Sequence, residues 1–295
     1  MRGCAISFLV WLGGAALSVA AVLALLYYGL DQPPSGSLGA GIFAGGLAWI
    51  SVNLLTAAFK SWRRRGAMRD AIAGLSLPKD GRESAFAGVL EPLGGTLLAP
   101  LDGSPALLYS YKVNEEIGTG KQRRILTHYK GVGLAPSVLR TRGGSYPLLV
   151  VPEFESPARD LDTDPRTTFE KYLRETPFSL RKDVKERELE ARWSDADGSY
   201  RADISDVDPG QTVDLGKCRF EQHRVRPGDP VCIFGHYSAG RGIVPHANWA
   251  NGAKILVGDT TEVARRLGSQ VKTRLILSFL IAGAAVGLIA AFLYG

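Results

Sequence analysis

Four residues with metal-ligating side chains, Cys218, His223, Cys232 and His236, fall within nineteen positions as CxxxxHxxxxxxxxCxxxH. Thiolate and imidazole are zinc ligands, but structural zinc sites use more closely spaced cysteine pairs. Residues 221–226 and 230–236 are predicted to pair as a hairpin across the Pro227–Gly228–Asp229 turn. With Val225 opposite Val231, that register sends His223 to the sheet face away from Cys232 and His236. The expectation is no metal, a buried strand cysteine and surface histidines.

The other chemistry-bearing patterns also fall short. Ser238 lies in GHYSAG, one residue too long before the serine for a GxSxG elbow. His128, His223, His236 and His246 are the available bases, and nothing in their spacing brings one to Ser238. A membrane-bound serine hydrolase is thus the third reading. Asp195, Asp197, Asp203, Asp206 and Asp208 offer oxygen ligands, but Gly198 is misplaced for a calcium loop and no glutamate closes it. GTGK at 118–121 lacks the flanking residues of a phosphate loop, and GVG at 131–133 lacks a third glycine. No catalytic, cofactor-binding or metal-binding residue is assigned, no cofactor is expected, and the enzyme question leans to no.

The elements that must carry these residues divide sharply by charge. Of the 35 Lys/Arg and 29 Asp/Glu, all but Arg2, Arg274 and Asp31 lie between residues 60 and 272. The charge-free stretches 6–28, 38–59 and 275–293 each reach the roughly 20 apolar residues that cross a hydrocarbon core. The expected architecture is α+β: three transmembrane helices plus one β-rich, antiparallel, membrane-adjacent domain. Residues 1–59 would form a helical hairpin turning through Asp31, Gln32, Pro33 and Pro34, and 60–87 a basic juxtamembrane linker. The domain would follow at 88–268, with the acidic stretch 153–214 as an exposed insertion. Helices are expected at 167–176 and 260–267, and a further hairpin joins 137–141 to 146–151.

Arg63, Arg64, Arg65 and Arg69 follow the second stretch, and Arg265, Arg266 and Lys272 precede the third. They are the candidate membrane-surface contacts. The positive-inside bias places residues 60–272 in the cytoplasm and the C-terminus outside, in a bacterial plasma membrane. Gly41 with Gly45 and Gly283 with Gly287 are four apart, the spacing that lets helix backbones approach; the candidate use is packing within the chain, with homo-oligomerisation the alternative. Three cysteines fit a reducing compartment. The pI of 9.2 is raised by the juxtamembrane cations, so nucleic acid is not an expected partner. The bilayer is, together with a membrane or cytoplasmic protein.

A particular order of motifs carries a resemblance. Gly88 opens a strand; LLAPLDGSP (97–105), LYSYKV (108–113), VLRTRGGSYPLLV, FEQHRVRPGDPVCIFG and KILVGDTTEVARRL follow. This resembles the BAM or GIDE domain of the mitochondrial E3 ubiquitin ligase family, and covers roughly residues 88–268. The resemblance implies a membrane-flanked scaffold used for interaction or assembly, and, as the alternative function, a ligase-like protein. That family's ligase activity resides in a RING, a Cys/His zinc module beyond its last span, and no such array is expected here. The family domain also faces away from the cytosol, and one fewer span precedes it.

Overall fold

The structure, a computed structural model, describes residues 34–73, 77–155, 161, 164–181, 200–208, 211–245 and 252–294. The chain forms two compact units, one from Met1–Gly66 and Ala264–Gly295 and one from Ala67–Val263.

The first unit is helical where described. Helix α1 (Pro34–Ala73) opens on a proline, which suits a first helical position because its missing N–H would find no intrahelical partner there. Helix α3 (Thr260–Tyr294) provides the second rod; helix α2 (Pro165–Glu175) belongs to the other unit. Among the described residues one helical segment, Thr261–Gly287, is long and apolar enough to cross a membrane. This corrects the expected three transmembrane helices plus a domain: the described chain holds three β-sheets and three α-helices, with one candidate span. The stretch 6–28 lies outside the described residues. The stretch 38–59 does not stand alone, but is the first part of a 40-residue helix that runs on through Arg63, Arg64 and Arg65. The basic linker expected from residue 60 is therefore helical as far as Ala73, because Lys, Arg, Ala and Met are good helix formers and no proline interrupts them.

The second unit holds three sheets. The first is built from β1 (Arg82–Pro92), β6 (Ser137–Thr141), β7 (Gly144–Pro147), β8 (Glu153–Phe154), β12 (Pro230–Ser238), β13 (Gly242–Val244) and β14 (Lys254–Val257). Its order is β7-β6-β1-β12-β14-β8, with β13 on β12. The second is built from β4 (Leu108–Ile117), β5 (Arg124–Leu134), β9 (Ser179–Leu180), β10 (Tyr200–Ser205) and β11 (Cys218–Val225), in the order β11-β4-β5-β10-β9. The third is the pair β2 (Leu97–Leu98) and β3 (Pro105–Ala106). Pairing is antiparallel except β8 with β14 and β9 with β10. Phe86, Leu90, Leu134, Leu139, Ile233 and Ile255 belong to one core; Leu101, Tyr109, Tyr111, Val113 and Phe169 belong to a second.

The hairpin of β6 and β7 is present, Thr141 facing Gly144 across a two-residue turn. The one expected between 221–226 and 230–236 is not. The turn itself exists, with Gly228 at φ 85° and Asp229 N–H donating to the Arg226 carbonyl. Yet β12 is flanked by β1 and β14, which leaves it no free edge, and β11 pairs with β4 in the other sheet. Gly88 sits inside β1 and does not open it; a Cβ there would collide with the Arg140 carbonyl on the neighbouring strand.

The acidic stretch is also more than an exposed insertion. It supplies β8, β9, β10 and helix α2, whose Phe169 is fully buried. Helix α2 has a strong local start: Asp164 caps it by accepting from Arg166 N–H at 3.1 Å, and Pro165 follows in the first turn. Low apolar content concealed a segment whose aromatic residues Phe169, Tyr172 and Phe178 pack against one core.

Candidate membrane-contacting site

In the helical unit, α1 and α3 run antiparallel along a seam of small residues. Ser51 and Ser278 meet at its centre, their Oγ atoms 3.0 Å apart; Ser51 Oγ also bonds the Ser278 carbonyl, and Ser278 Oγ the Ser51 carbonyl, each at 3.0 Å. Seven residues to either side the same faces carry buried Ala44 and Ala58 on α1, and Ala285 and Val271 on α3. A seven-residue repeat keeps one helical stripe against its neighbour, and small side chains allow close approach. Further along, Arg274 Nη1 donates to the Ala57 carbonyl at 3.3 Å and to Ser61 Oγ at 2.7 Å. Gly268 makes room for Arg65, whose Nη1 lies 3.2 Å from where a Cβ would be.

These contacts fix which cations share a level. Lys60, Arg63, Arg64 and Arg65 on α1 lie alongside Arg265, Arg266, Lys272 and Arg274 on α3, and no Asp or Glu occurs in the described residues of this unit. Arg63, Arg65, Arg265 and Lys272 are exposed; Arg64 and Arg266 are half-buried. Arg69 is exposed but belongs to the other unit. Trp62, exposed at 59 %, stands at the same level and contacts Phe59 with ring centroids 5.8 Å apart. Beyond the cations the outward faces are apolar: Ile42, Ile50, Val52 and Leu55 on α1, and Ile276, Leu277, Phe279, Leu280 and Val286 on α3, are all exposed. An apolar surface this extensive, bordered by Trp and cations, matches the transition from acyl chains to headgroups.

No family model, curated protein or solved structure matches this chain.

The glycines expected to pack helices fare unequally. Gly45 is buried, whereas Gly283 and Gly287 are exposed and a Cβ on either would touch nothing within 4 Å. The surroundings of Gly41 lie outside what is described. The seam actually used was legible in the small residues at 44, 51 and 58, and at 278 and 285, a spacing of seven that a search for GxxxG passes over.

The zinc and hydrolase candidates are dispersed. Cys218 and His223 ride on β11 and Cys232 and His236 on β12, in different sheets. His223 stacks on Phe154 with centroids 5.1 Å apart, and burial lowers its pKa. Cys232 is buried, which pushes its thiol up to about 12. Among the described residues no group of three or more His, Cys, Asp or Glu is placed to hold a metal. Ser238 ends β12 beside the turn to β13, with no histidine hydrogen-bonded to it among the described residues. His246, Asp195 and Asp197 lie outside the described residues.

The glycines of the GVG run have a packing role instead. Gly131 faces Tyr111 and Gly133 faces Tyr109 across the β4–β5 ladder, and a Cβ on either would lie 2.5 Å from Cε1 of the facing ring. The rings cross the neighbouring strand to reach a buried carboxylate. Asp203 Oδ1 accepts from Tyr111 OH at 2.7 Å and Tyr172 OH at 2.8 Å, and its Oδ2 from Arg201 Nε at 2.8 Å. Arg201 also lies over the Tyr172 ring at 4.5 Å. Desolvation and the nearby carboxylate raise the pKa of Tyr111 and Tyr172, and desolvation raises that of Tyr109 to about 12. Both carboxylate oxygens have donors, so this cluster ties α2 and β10 to the sheet. Similarly, Asp102 in the LDGSP turn pairs with buried Arg224 and accepts from Ser104 N–H, while Gln222 Oε1 accepts from Leu101 N–H at 2.9 Å. These are scaffold contacts.

Proposed function

We propose that this chain is an integral membrane protein that presents a non-catalytic, GIDE/BAM-like interaction or assembly module at the membrane surface. The observation that carries the reading is the helical unit: a candidate span with apolar outward faces, a small-residue seam inside, and a level of clustered cations at one end of the apolar surface. Lipid is the solvent that such an outward face requires, and headgroup phosphates suit the cations. By the positive-inside bias the cation level lies in the cytoplasm of a bacterial cell, with residues 67–263 on that side and Gly295 outside. The β-rich unit then works as a surface held at high local concentration near membrane partners. Its buried polar groups serve packing, and its edge strands are the surfaces open to a protein partner.

Two measurements test this. The protein should stay in the pellet when membranes are washed with alkaline carbonate, and reporter domains fused at Ser156 and at Gly295 should be active on opposite sides. Release by carbonate would defeat the anchor; equal reporter activity on one side would defeat the topology.

A further inference from the structure

The β4–β5 hairpin changes character along its length. Up to a bulge between Val113 and Asn114, where His128 is skipped, the strands are backed by core residues and paired on both sides. Beyond Glu115 neither neighbour continues, and the hairpin projects as two strands closed by a Gly-Thr-Gly turn with Gly118 at φ 85° and Gly120 at φ 59°. A bulge is a common device for turning a strand pair away from its sheet.

This arm carries large apolar residues in water: Ile117 at 47 %, Ile125 at 72 % and Leu126 at 43 % exposure. Cross-strand partners share a face, so Ile117, Arg124 and Leu126 lie on one side and Ile125 on the other. Its acids are already engaged, Glu116 with Arg123 and Glu115 with His128 at 2.8 Å. Arg124 is exposed and makes no ion pair among the described residues. A flat protein surface would cover one face of the arm and leave the other in water, whereas immersion covers both, and an unneutralised cation beside the apolar tip complements anionic headgroups.

We propose that the tip of this hairpin dips into the interfacial layer of an anionic bilayer, with Ile117, Ile125 and Leu126 at the acyl boundary and Arg124 at the phosphates. The proposal rests on the membrane-anchored reading and adds a second contact to it.

The test uses the full chain reconstituted in phosphatidylcholine vesicles with and without phosphatidylserine. Spin labels are placed singly at I125C and L126C on opposite faces of the arm, and at L277C in α3, with Cys4 and Cys218 changed to serine. Collisions with oxygen report lipid and collisions with a water-soluble nickel chelate report solvent. Both tip labels should favour oxygen when phosphatidylserine is present, and R124Q should shift that ratio about fivefold toward nickel, the effect of one cation near an anionic surface. Nickel-accessible tip labels beside a lipid-exposed L277C label would overturn the hairpin proposal and leave the anchor standing. Tip labels shielded from both reagents would mean a protein covers the arm, and would also overturn it. A nickel-accessible L277C label would instead sink the anchor, and the tip labels would still decide the hairpin by themselves.

Discussion

Tyr109 and Tyr111 owe their positions to two residues without side chains. Each ring passes over a strand-interior glycine to reach Tyr172 or Asp203, with Tyr109 OH 3.3 Å from Tyr172 OH. Gly133→Ala puts a methyl 2.5 Å from Tyr109 Cε1, so that ring must move and the Tyr172 contact opens. The expected loss is about 1–3 kcal/mol, the usual cost of overpacking a well-filled core, read as a lower denaturation midpoint with unchanged m. The same burial sets an alkaline limit. Tyr109 ionises at 10.0 when exposed and about 12 in the fold, so the folded state holds its proton more tightly. Its contribution is complete below pH 10 and is lost as pH rises through 12, at about 1.4 kcal/mol per pH unit for each such proton. Stability should therefore fall steeply across that window, and Tyr109→Phe should flatten the fall by one proton. Absorbance at the phenolate band should show Tyr109, Tyr111 and Tyr172 ionising only as the fold is lost.

At the scale of elements, the α1–α3 register is specific enough to be trapped chemically. Ser51 and Ser278 have Oγ atoms 3.0 Å apart, so the double variant S51C/S278C places two thiols within disulfide reach. Mild oxidation of membranes should link the two helices within one chain, visible as joined fragments after proteolysis between them. Pairing S51C with L277C should not, because Leu277 faces outward at 45 % exposure. Equal linking of both pairs would mean the seam is not where the structure places it. This seam, the β6–β7 hairpin, α2 and the start of α3 were all within reach of sequence reasoning, since local periodicity and turn residues encode them. What escaped was long-range choice. The 226–229 turn looks like a hairpin turn whether or not its strands pair, and only the occupied edges of β12 send β11 to another sheet. The tyrosine–aspartate cluster escaped for the same reason: Tyr111 and Asp203 are 92 positions apart, and neither marks the other in sequence. Charge-free length also registers composition and not where a helix begins and ends: the stretch 38–59 is part of one helix, Pro34–Ala73, and among the described residues one segment is a candidate span.

Over the whole molecule, the net charge of +6 is a sum of unlike parts. Residues 1–66 and 264–295 hold Arg2, Lys60, Arg63, Arg64, Arg65, Arg265, Arg266, Lys272 and Arg274 against Asp31, which is 9 − 1, or +8; the remaining 67–263 then carry 6 − 8, or −2. The basic isoelectric point thus belongs to the helical unit, and the β-rich unit is slightly acidic. Net charge therefore gives the β-rich unit no overall long-range attraction to a polyanion. It also predicts how the protein partitions. In mixed micelles, full-length chain should be retained by phosphatidylserine at low salt, with each cation near the headgroups contributing about 1 kcal/mol. Retention should collapse toward about 1 M salt, where charges are screened beyond about 3 Å. Replacing Arg63, Arg64 and Arg65 together by glutamine should remove most of it, whereas neutralising an equal number of exposed cations on the β-rich unit, such as Arg82, Arg219 and Arg241, should change it little. Equal losses from the two triple variants would show that headgroup attraction is spread over the molecule and is not seated in the helix pair.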